Sequence, residues 1–350
     1  MGIKIPHTKN LLVCPDGSIR DIWGNVLANS KEDVKELQNA LGFEIPITTL
    51  TEIKRKITEQ KFYEVPIADY IPLVVGEGAF STNLLAYTAF STGSDFEAGV
   101  INTGANNSRL PEADVAIEPL NIKIVNWAKA IGYSLFDIQQ AAKSGSWSLI
   151  EQKEKARYQN WSLGIQKIAF CGSAIDPDVV GLLGLTTVTS NTTLITKTIS
   201  SMTEAEFQTL VAGLLAAYQA NCSYTTMPDT FIIPTADFLG LGVAASAATY
   251  AGIGKTKLGY LLDTFKEMTG NPNFKILPLV YAQSTQNSAG KNRYVLYKND
   301  VDTLEMDIPV DYTTTIQDTV NGFHWQSAAY GQYTGVFSRR YKEILYFDYQ

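Results

Sequence analysis

Residues 149–170 restrict this chain more than any other stretch, because they commit it to one long rod. Tyr158, Trp161, Ile165 and Ile168 follow one another at spacings of three and four, which places them along one face of a helix, while Lys153, Lys155, Gln159 and Gln166 supply polar positions. About 22 residues rising about 1.5 Å each give a rod of roughly 33 Å. Cys171-Gly172 stops it, since glycine accepts the left-handed backbone that closes helices. On the near side, Ser134 opens a short helix over 135–142 that ends at Ser144-Gly145; on the far side, Gly181-Leu182-Leu183-Gly184-Leu185 reads as a compact apolar turn.

Ahead of the rod the period changes from helical to extended. Residues 80–90 read as a strand, and 91–109 are rich in Gly, Ser, Asn and Thr, which predicts an exposed loop. The chain returns through Leu110-Pro111-Glu112-Ala113-Asp114-Val115 to Ile122, Ile124 and Trp127, whose partial alternation predicts the second strand of a long hairpin. About twenty structureless residues have no place inside a compact domain, so the tip either projects for a purpose or is disordered. Further upstream, Pro66 and Pro72 keep 65–75 extended, and residues 1–60 form an arm with one helix, where Ser30 and Asp33 cap a segment carrying Val34, Leu37 and Leu41 before Gly42.

A second lobe begins near Thr186. Thr203 and Glu206 make a capping box for a helix carrying Phe207, Leu210, Val211, Leu214, Leu215 and Tyr218 on one stripe. A strand over 231–234, an Ala- and Gly-rich stretch over 238–254, a helix through Leu258, Leu261, Leu262, Phe265 and Met268 closed by Gly270, and strands over 274–281 and 294–297 complete a mixed α+β unit. The final stretch is strand-rich, with strands over 333–337 and 343–347, and no internal repeat is visible.

Charge and chemistry narrow the function. Hydrophobic residues are 45% and charged ones 18%, enough apolar material for an ordered core and for interfaces. The 28 basic against 35 acidic residues leave a formal charge of −7, which argues against an electrostatic grip on DNA or an anionic membrane. Residues 1–10 hold Lys4, Pro6, His7 and Lys9 where a signal core would be apolar, and no long apolar run follows, so a soluble protein made in the cytoplasm is expected. Cys14, Cys171 and Cys222 lack the spacing of a disulfide framework or a zinc site and read as buried thiols.

His7 and His324 are the only histidines, and the motifs G-x-S-x-G, H-E-x-x-H and G-x-G-x-x-G are absent. Gly254-Lys255-Thr256 lacks the first glycine of a phosphate loop, because Thr249 stands five positions before Gly254. Glu204 and Glu206 suit a helix N-terminus, and Asp176 and Asp178 flank Pro177 in a turn. Arg339-Arg340 with Lys342 reads as a solvated strand edge, with contact to a phosphate or an acidic neighbour as the alternative. No catalytic, cofactor-binding or metal-binding residue is therefore assigned, and no enzyme is expected.

Together, Leu110-Pro111-Glu112-Ala113-Asp114-Val115, Trp127 with Gly132-Tyr133-Ser134, Ala141-Ala142-Lys143-Ser144-Gly145, residues 153–157 and Gly181-Leu182-Leu183-Gly184-Leu185 resemble, in order and spacing, a run found in major capsid proteins of tailed bacteriophages. The resemblance is best from about 70 to 188 and looser beyond. It implies the α+β Hong Kong 97-like fold, shared with encapsulin nanocompartments and the herpesvirus shell floor. It implies an N-terminal arm over 1–65, a P-domain over 66–185 with 301–350, and an A-domain over 186–300. The P-domain would carry an E-loop at about 77–124 and a spine helix at about 148–171.

The function implied is structural: self-assembly as hexamers and pentamers into the icosahedral head that encloses phage double-stranded DNA, with the E-loop over a neighbouring subunit and the A-domains around the axes. The implied partners are copies of the chain, a separate scaffolding protein, a portal and cement proteins, with only weak non-specific contact to packaged DNA and no membrane. A separate scaffold is expected because only some sixty residues precede the E-loop, where some members carry a cleavable scaffolding region. Between Glu77 and Asn121 there is no lysine, so the covalent cross-link that some members make through an E-loop lysine is not expected. An encapsulin-type cargo shell is the alternative, and an enzyme of unrecognised family a further one.

Overall fold

Residues 12–13, 19–20, 26–28, 61–92, 114–143, 149–242, 256–319 and 321–349 are described by the structure, a computed structural model. The chain divides into two units, Met1–Lys61 and Phe62–Gln350. In the first, β1 (Leu12–Val13), β2 (Ile19–Arg20) and β3 (Val26–Ala28) form an antiparallel meander. The arm helix expected at 30–42 lies outside the described residues.

The second unit opens with extended chain around Pro66 and Pro72, broken by one 3-10 turn, Ile67–Asp69, and leads into β4 (Leu73–Val75). β5 (Asn83–Thr92) and β6 (Asp114–Ser134) are the expected hairpin, and its tip, 93–113, lies outside the described residues. β6 runs seven residues past Trp127, straight into α1 (Leu135–Lys143). Ser134 and Asp137 cap that helix reciprocally, each amide donating to the other's side chain at 2.9 and 3.2 Å. α2 (Leu149–Cys171) is the predicted rod. It ends at Gly172, whose φ of +80° only glycine adopts without strain. The following turn presses backbone on backbone, since a Cβ on Gly181 would lie 2.5 Å from the Phe170 carbonyl carbon.

β7 (Thr189–Asn191) precedes α3 (Glu204–Asn221), which starts at the Thr203–Glu206 capping box. Its six predicted apolar positions, Phe207 through Tyr218, are all buried. Then come β8 (Thr230–Pro234), α4 (Thr235–Gly240) and α5 (Lys257–Thr269), the last capped by Thr256 and ended by left-handed Gly270. β9 (Lys275–Leu279), β10 (Asn292–Tyr297), β11 (Leu304–Ile308), β12 (Val310–Thr314), β13 (Asp318–Thr319), β14 (His324–Thr334), β15 (Val336–Ser338) and β16 (Ile344–Tyr349) complete the chain.

Three sheets result in this unit: the antiparallel β12-β14-β6-β5, the mixed β15-β11-β4 and the mixed β7-β16-β10-β8-β9. The five-stranded sheet separates two cores. Because successive strand residues face opposite ways, Val295, Tyr297, Ile344 and Tyr346 join α2's Trp161, Ile165, Ala169 and Phe170, while Tyr294, Leu296, Leu345 and Phe347 join α3 and α5. Of the closing strands, β14 pairs with β6 and β15 with β11, while β16 pairs with β10 and β7 in the five-stranded sheet.

The face of α2 needs correction. Its buried stripe runs through Arg157, Trp161, Ile165, Gln166 and Ala169, whereas Tyr158, expected in the core, is 56% exposed. The polar members are accommodated by long-range partners. Arg157 donates through Nε to Tyr312 Oη and through Nη1 to the Ser327 carbonyl, at 2.8 and 2.7 Å. Gln166 accepts from the Val65 amide and donates to the Tyr63 carbonyl and Tyr281 Oη. Hydrogen-bonding capacity on segments far away in sequence thus sets which face of the rod is inward.

Candidate assembly surface

β6 passes through two environments. Residues 124–134 pair with β14, from Ile124↔Thr334 to Ser134↔His324, whereas residues 114–123 pair only with β5, from Lys123↔Asn83 to Asp114↔Thr92. The inner half lies against α2: Trp127 meets Trp161 at a ring separation of 4.9 Å, and Lys153 Nζ donates to the Gly132 carbonyl at 2.7 Å. The outer half leaves the body as a two-stranded ribbon.

The ribbon is apolar on both faces. Leu84, Ala86, Leu120 and Ile122 gather on Phe337 of the body. On the opposite face Leu85, Tyr87 and Ile117 are 60, 61 and 63% exposed. The alternation in 84–88 thus serves two surfaces, one supplied by the chain itself and one not.

Several devices fix the ribbon's root. Gly76, Gly78 and Phe80 take φ of +95°, +72° and +61°, turning the chain from β4 into β5. Phe80 is strained there, and its amide is held by Gln332 Oε1 at 2.7 Å, while Gln332 Nε2 donates to Asn126 Oδ1 at 2.6 Å. Lys123, the last residue paired to β5, meets Asp176 at 2.7 Å and Asp178 at 3.5 Å. That ion pair holds the Asp176 carboxyl below its ordinary range. Between root and body lies a groove of about 600 Å³ lined by Leu120, Ile122, Val180, Phe337, Arg339 and Tyr341.

Beneath the root, β11 alternates core-facing Leu304, Met306 and Ile308 with the buried carboxylates Glu305 and Asp307. Arg339 meets Glu305 at 2.5 Å. Asp307 Oδ1 is buried without a hydrogen-bond partner. Burial pushes the Glu305 carboxyl up to about 7 against the pull of Arg339, with Asp307 and Glu77 adding to the rise. Burial and then Glu77 push Asp307 up to about 6.

Several residues singled out from sequence are placed by this geometry. Asp176 and Asp178 do flank a turn, but they also anchor Lys123. Arg339, expected on a solvated edge, pairs with buried Glu305, and Arg340 lies 3.7 Å from both Asp302 and Glu343. Glu206 keeps its capping role, with Lys197 at 2.7 Å and Thr203 holding it down to about 2. His324 is exposed at the start of β14, and Cys222 is buried while Cys171 is half-buried. His7, Cys14, Gly254 and Lys255 lie outside the described residues. Among the described residues no group of three His, Cys, Asp or Glu is placed to hold a metal, and no helix is long and apolar enough to cross a membrane. The outward Leu85, Tyr87 and Ile117 and the Glu305–Asp307 pair were not singled out from sequence; the alternation in Leu304-Glu305-Met306-Asp307-Ile308 was the available signal for the latter.

A projecting ribbon rooted on a rod-backed sheet, joined to a second lobe through a shared five-stranded sheet, is the fold of phage capsid subunits. The structure matches the capsid of Myoviridae phage XM1 with a TM-score of 0.68 at 16% identity, covering 88% of this chain and 100% of that one. It matches the capsid of an empty GTA particle at 0.57 and 12% identity, over 89% and 98%, and a Mycobacterium phage Bobi chain at 0.56 and 12%, over 88% and 97%. By sequence, residues 97–349 match the family Major capsid protein, and the chain belongs to that family. It is a major capsid protein, a structural subunit of a virion shell. No curated protein matches the chain by sequence.

Proposed function

We propose that copies of this chain close as hexamers and pentamers into an icosahedral head around double-stranded DNA, each hairpin lying across a neighbouring copy. The observation that carries this reading is the outward face of the ribbon, where Leu85, Tyr87 and Ile117 stand exposed on strands that the body already covers from the other side. Water-facing rows of large apolar side chains are costly to keep unless something covers them. In this reading residues 1–65 are an arm, 66–185 with 301–350 the peripheral domain carrying the loop at about 77–124 and the rod at about 148–171, and 186–300 the axial domain. β16 ties the last two together, because its two faces serve both cores.

A separate scaffolding protein, a portal and cement proteins are the further partners, and the acidic chain touches packaged DNA only weakly. The subunit carries out no catalysis. Closure is non-covalent, since no lysine lies between Glu77 and Asn121; covalent oligomers on a denaturing gel of purified particles would contradict this.

The test is the combined variant Leu85→Ser, Tyr87→Ser and Ile117→Ser. It is expected to give a folded subunit that forms no shells by electron microscopy. Shells in wild-type yield would reject the reading. Nuclease-protected DNA, as opposed to packaged protein, in wild-type particles separates a phage head from a cargo compartment.

A further inference from the structure

Glu305 and Asp307 lie on the face of β11 turned away from the α2 core, and that face is the floor beneath the ribbon's root. Glu305 is paired with Phe337 in the register of β11 and β15, so the two side chains share a face, and Phe337 is where Leu84, Ala86, Leu120 and Ile122 gather. Asp307 is paired with Val74 of β4, two residues before the turn that carries the chain into β5. The turn is tied to the floor, since the Gly76 amide donates to the Ile308 carbonyl at 3.0 Å. Next to it, Phe80 keeps its strained backbone through the bond from its amide to Gln332 Oε1.

The charges around this floor do not balance. Arg339 reaches both Glu305 oxygens, at 2.5 and 3.4 Å. Among the described residues no cation bonds to Asp307, which is 4% exposed and whose Oδ1 has no hydrogen-bond partner. Glu77 on the root turn adds negative charge against both carboxyls, and Asp302, ahead of β11, adds it against Glu305. From the ribbon, Glu118 and Lys123 line the groove beside Arg339, but Lys123 is engaged by Asp176 and Asp178. One guanidinium thus faces Glu305, Asp307 and Glu77, and the buried carboxyl left without a partner is costly to charge. Burial with Glu77 raises Asp307 to about 6, and burial raises Glu305 to about 7 against the pull of Arg339.

We propose that Glu305 and Asp307 form a proton-operated latch, which keeps the ribbon's root seated on β11 while the pair holds its protons and releases it when both carboxyls are ionised. Linkage fixes the direction. A seated root buries the carboxyls and so binds protons more tightly than a lifted root, in which water reaches them. Seating is therefore strongest below the ordinary carboxylate range and weakens as pH rises through about 6 to 7. The latch operates within one subunit, so it goes beyond the shell reading and stands or falls apart from what the hairpin touches there.

The experiment is amide exchange on the unassembled subunit between about pH 5 and 8, each rate corrected for the intrinsic effect of pH. The reporter is the Phe80 amide, whose acceptor is Gln332, and the reference is the amide of Leu214, buried in the other core. In the wild type the protection of Phe80 is expected to fall at least about tenfold across this range while that of Leu214 stays level. Asp307→Asn should cut the fall to about threefold or less. Glu77→Gln changes an exposed side chain, and should shrink the fall and move it to lower pH; it decides the matter should Asp307→Asn fail to fold. No fall in the wild type, a fall of wild-type size in either variant, or a parallel loss at Leu214 would overturn the latch.

Discussion

Residues 124–134 and 114–123 belong to one uninterrupted strand and live in different conditions. In the inner stretch Ile124 and Tyr133 are buried, Trp127 packs on the rod, and β14 supplies a partner for every residue. In the outer stretch only β5 pairs, and Ile117 is 63% exposed. The contacts of the inner half are complete within one subunit, while those of the outer half are half-built. What separates them is the supply of partners: the same strand chemistry stabilises the subunit where the chain provides a second layer, and leaves Leu85, Tyr87 and Ile117 facing water where it does not.

The largest expected effect falls on the inner side. Trp161 meets Trp127, Tyr312 and Tyr333, and its ring lies so close to Gly331 that a Cβ there would sit 2.4 Å from it. Trp161→Asp removes this packing and buries a lone charge, and should cost about 4 kcal/mol or more, abolishing the cooperative melt. A variant that melted like the wild type would break the claim that this side is core. Next comes Arg293→Ala. Arg293 meets buried Asp348 at 2.7 Å, lies over the Tyr346 ring and donates to the Leu183 carbonyl. Stranding Asp348 should cost about 3 kcal/mol by chemical denaturation.

Asp307→Asn tests the boundary between the two regions and should act in the opposite direction. The folded carboxyls of Glu305 and Asp307 sit above their unfolded values, so the folded subunit binds more protons between about pH 4 and 7. Their contribution to stability is therefore greatest below the unfolded values and is lost as pH rises through about 6 to 7. Asp307→Asn should stabilise the subunit at pH 8 by on the order of 1 kcal/mol and flatten the dependence between pH 5 and 8, as melting curves would show. A variant less stable at pH 8 would mean that the charge is used. The smallest effect on the isolated subunit belongs to the outer side: Ile117→Ser should change its stability by no more than about 0.5 kcal/mol, yet weaken assembly. Loss of subunit stability there would erase the contrast.

The rod, the hairpin and the stripe on α3 were legible because period and capping residues are local. Gln166 and Arg157 were not, because what holds them inward lies at Val65, Tyr281, Tyr312 and Ser327. Arg339 looked solvated because its partner Glu305 lies 34 positions away. The full length of β6 was hidden for a similar reason: its two halves answer to two different strands, and one alternating pattern cannot announce a change of partner. For the candidate assembly surface, the hairpin's partial alternation was readable, whereas the outward row of Leu85, Tyr87 and Ile117 shows only once Phe337 is seen to cover the opposite face.

The place of β16 has a consequence for synthesis. Ile344 and Tyr346 fill one core, Leu345 and Phe347 the other, and β10 gains its second partner only when this strand arrives. It leaves the ribosome after every other described strand, so neither half of the subunit can finish folding before this strand has been made. A nascent chain can extend its hairpin but has no completed body to offer a neighbour, and entry into a growing shell is thereby deferred until the chain has been made through Tyr349.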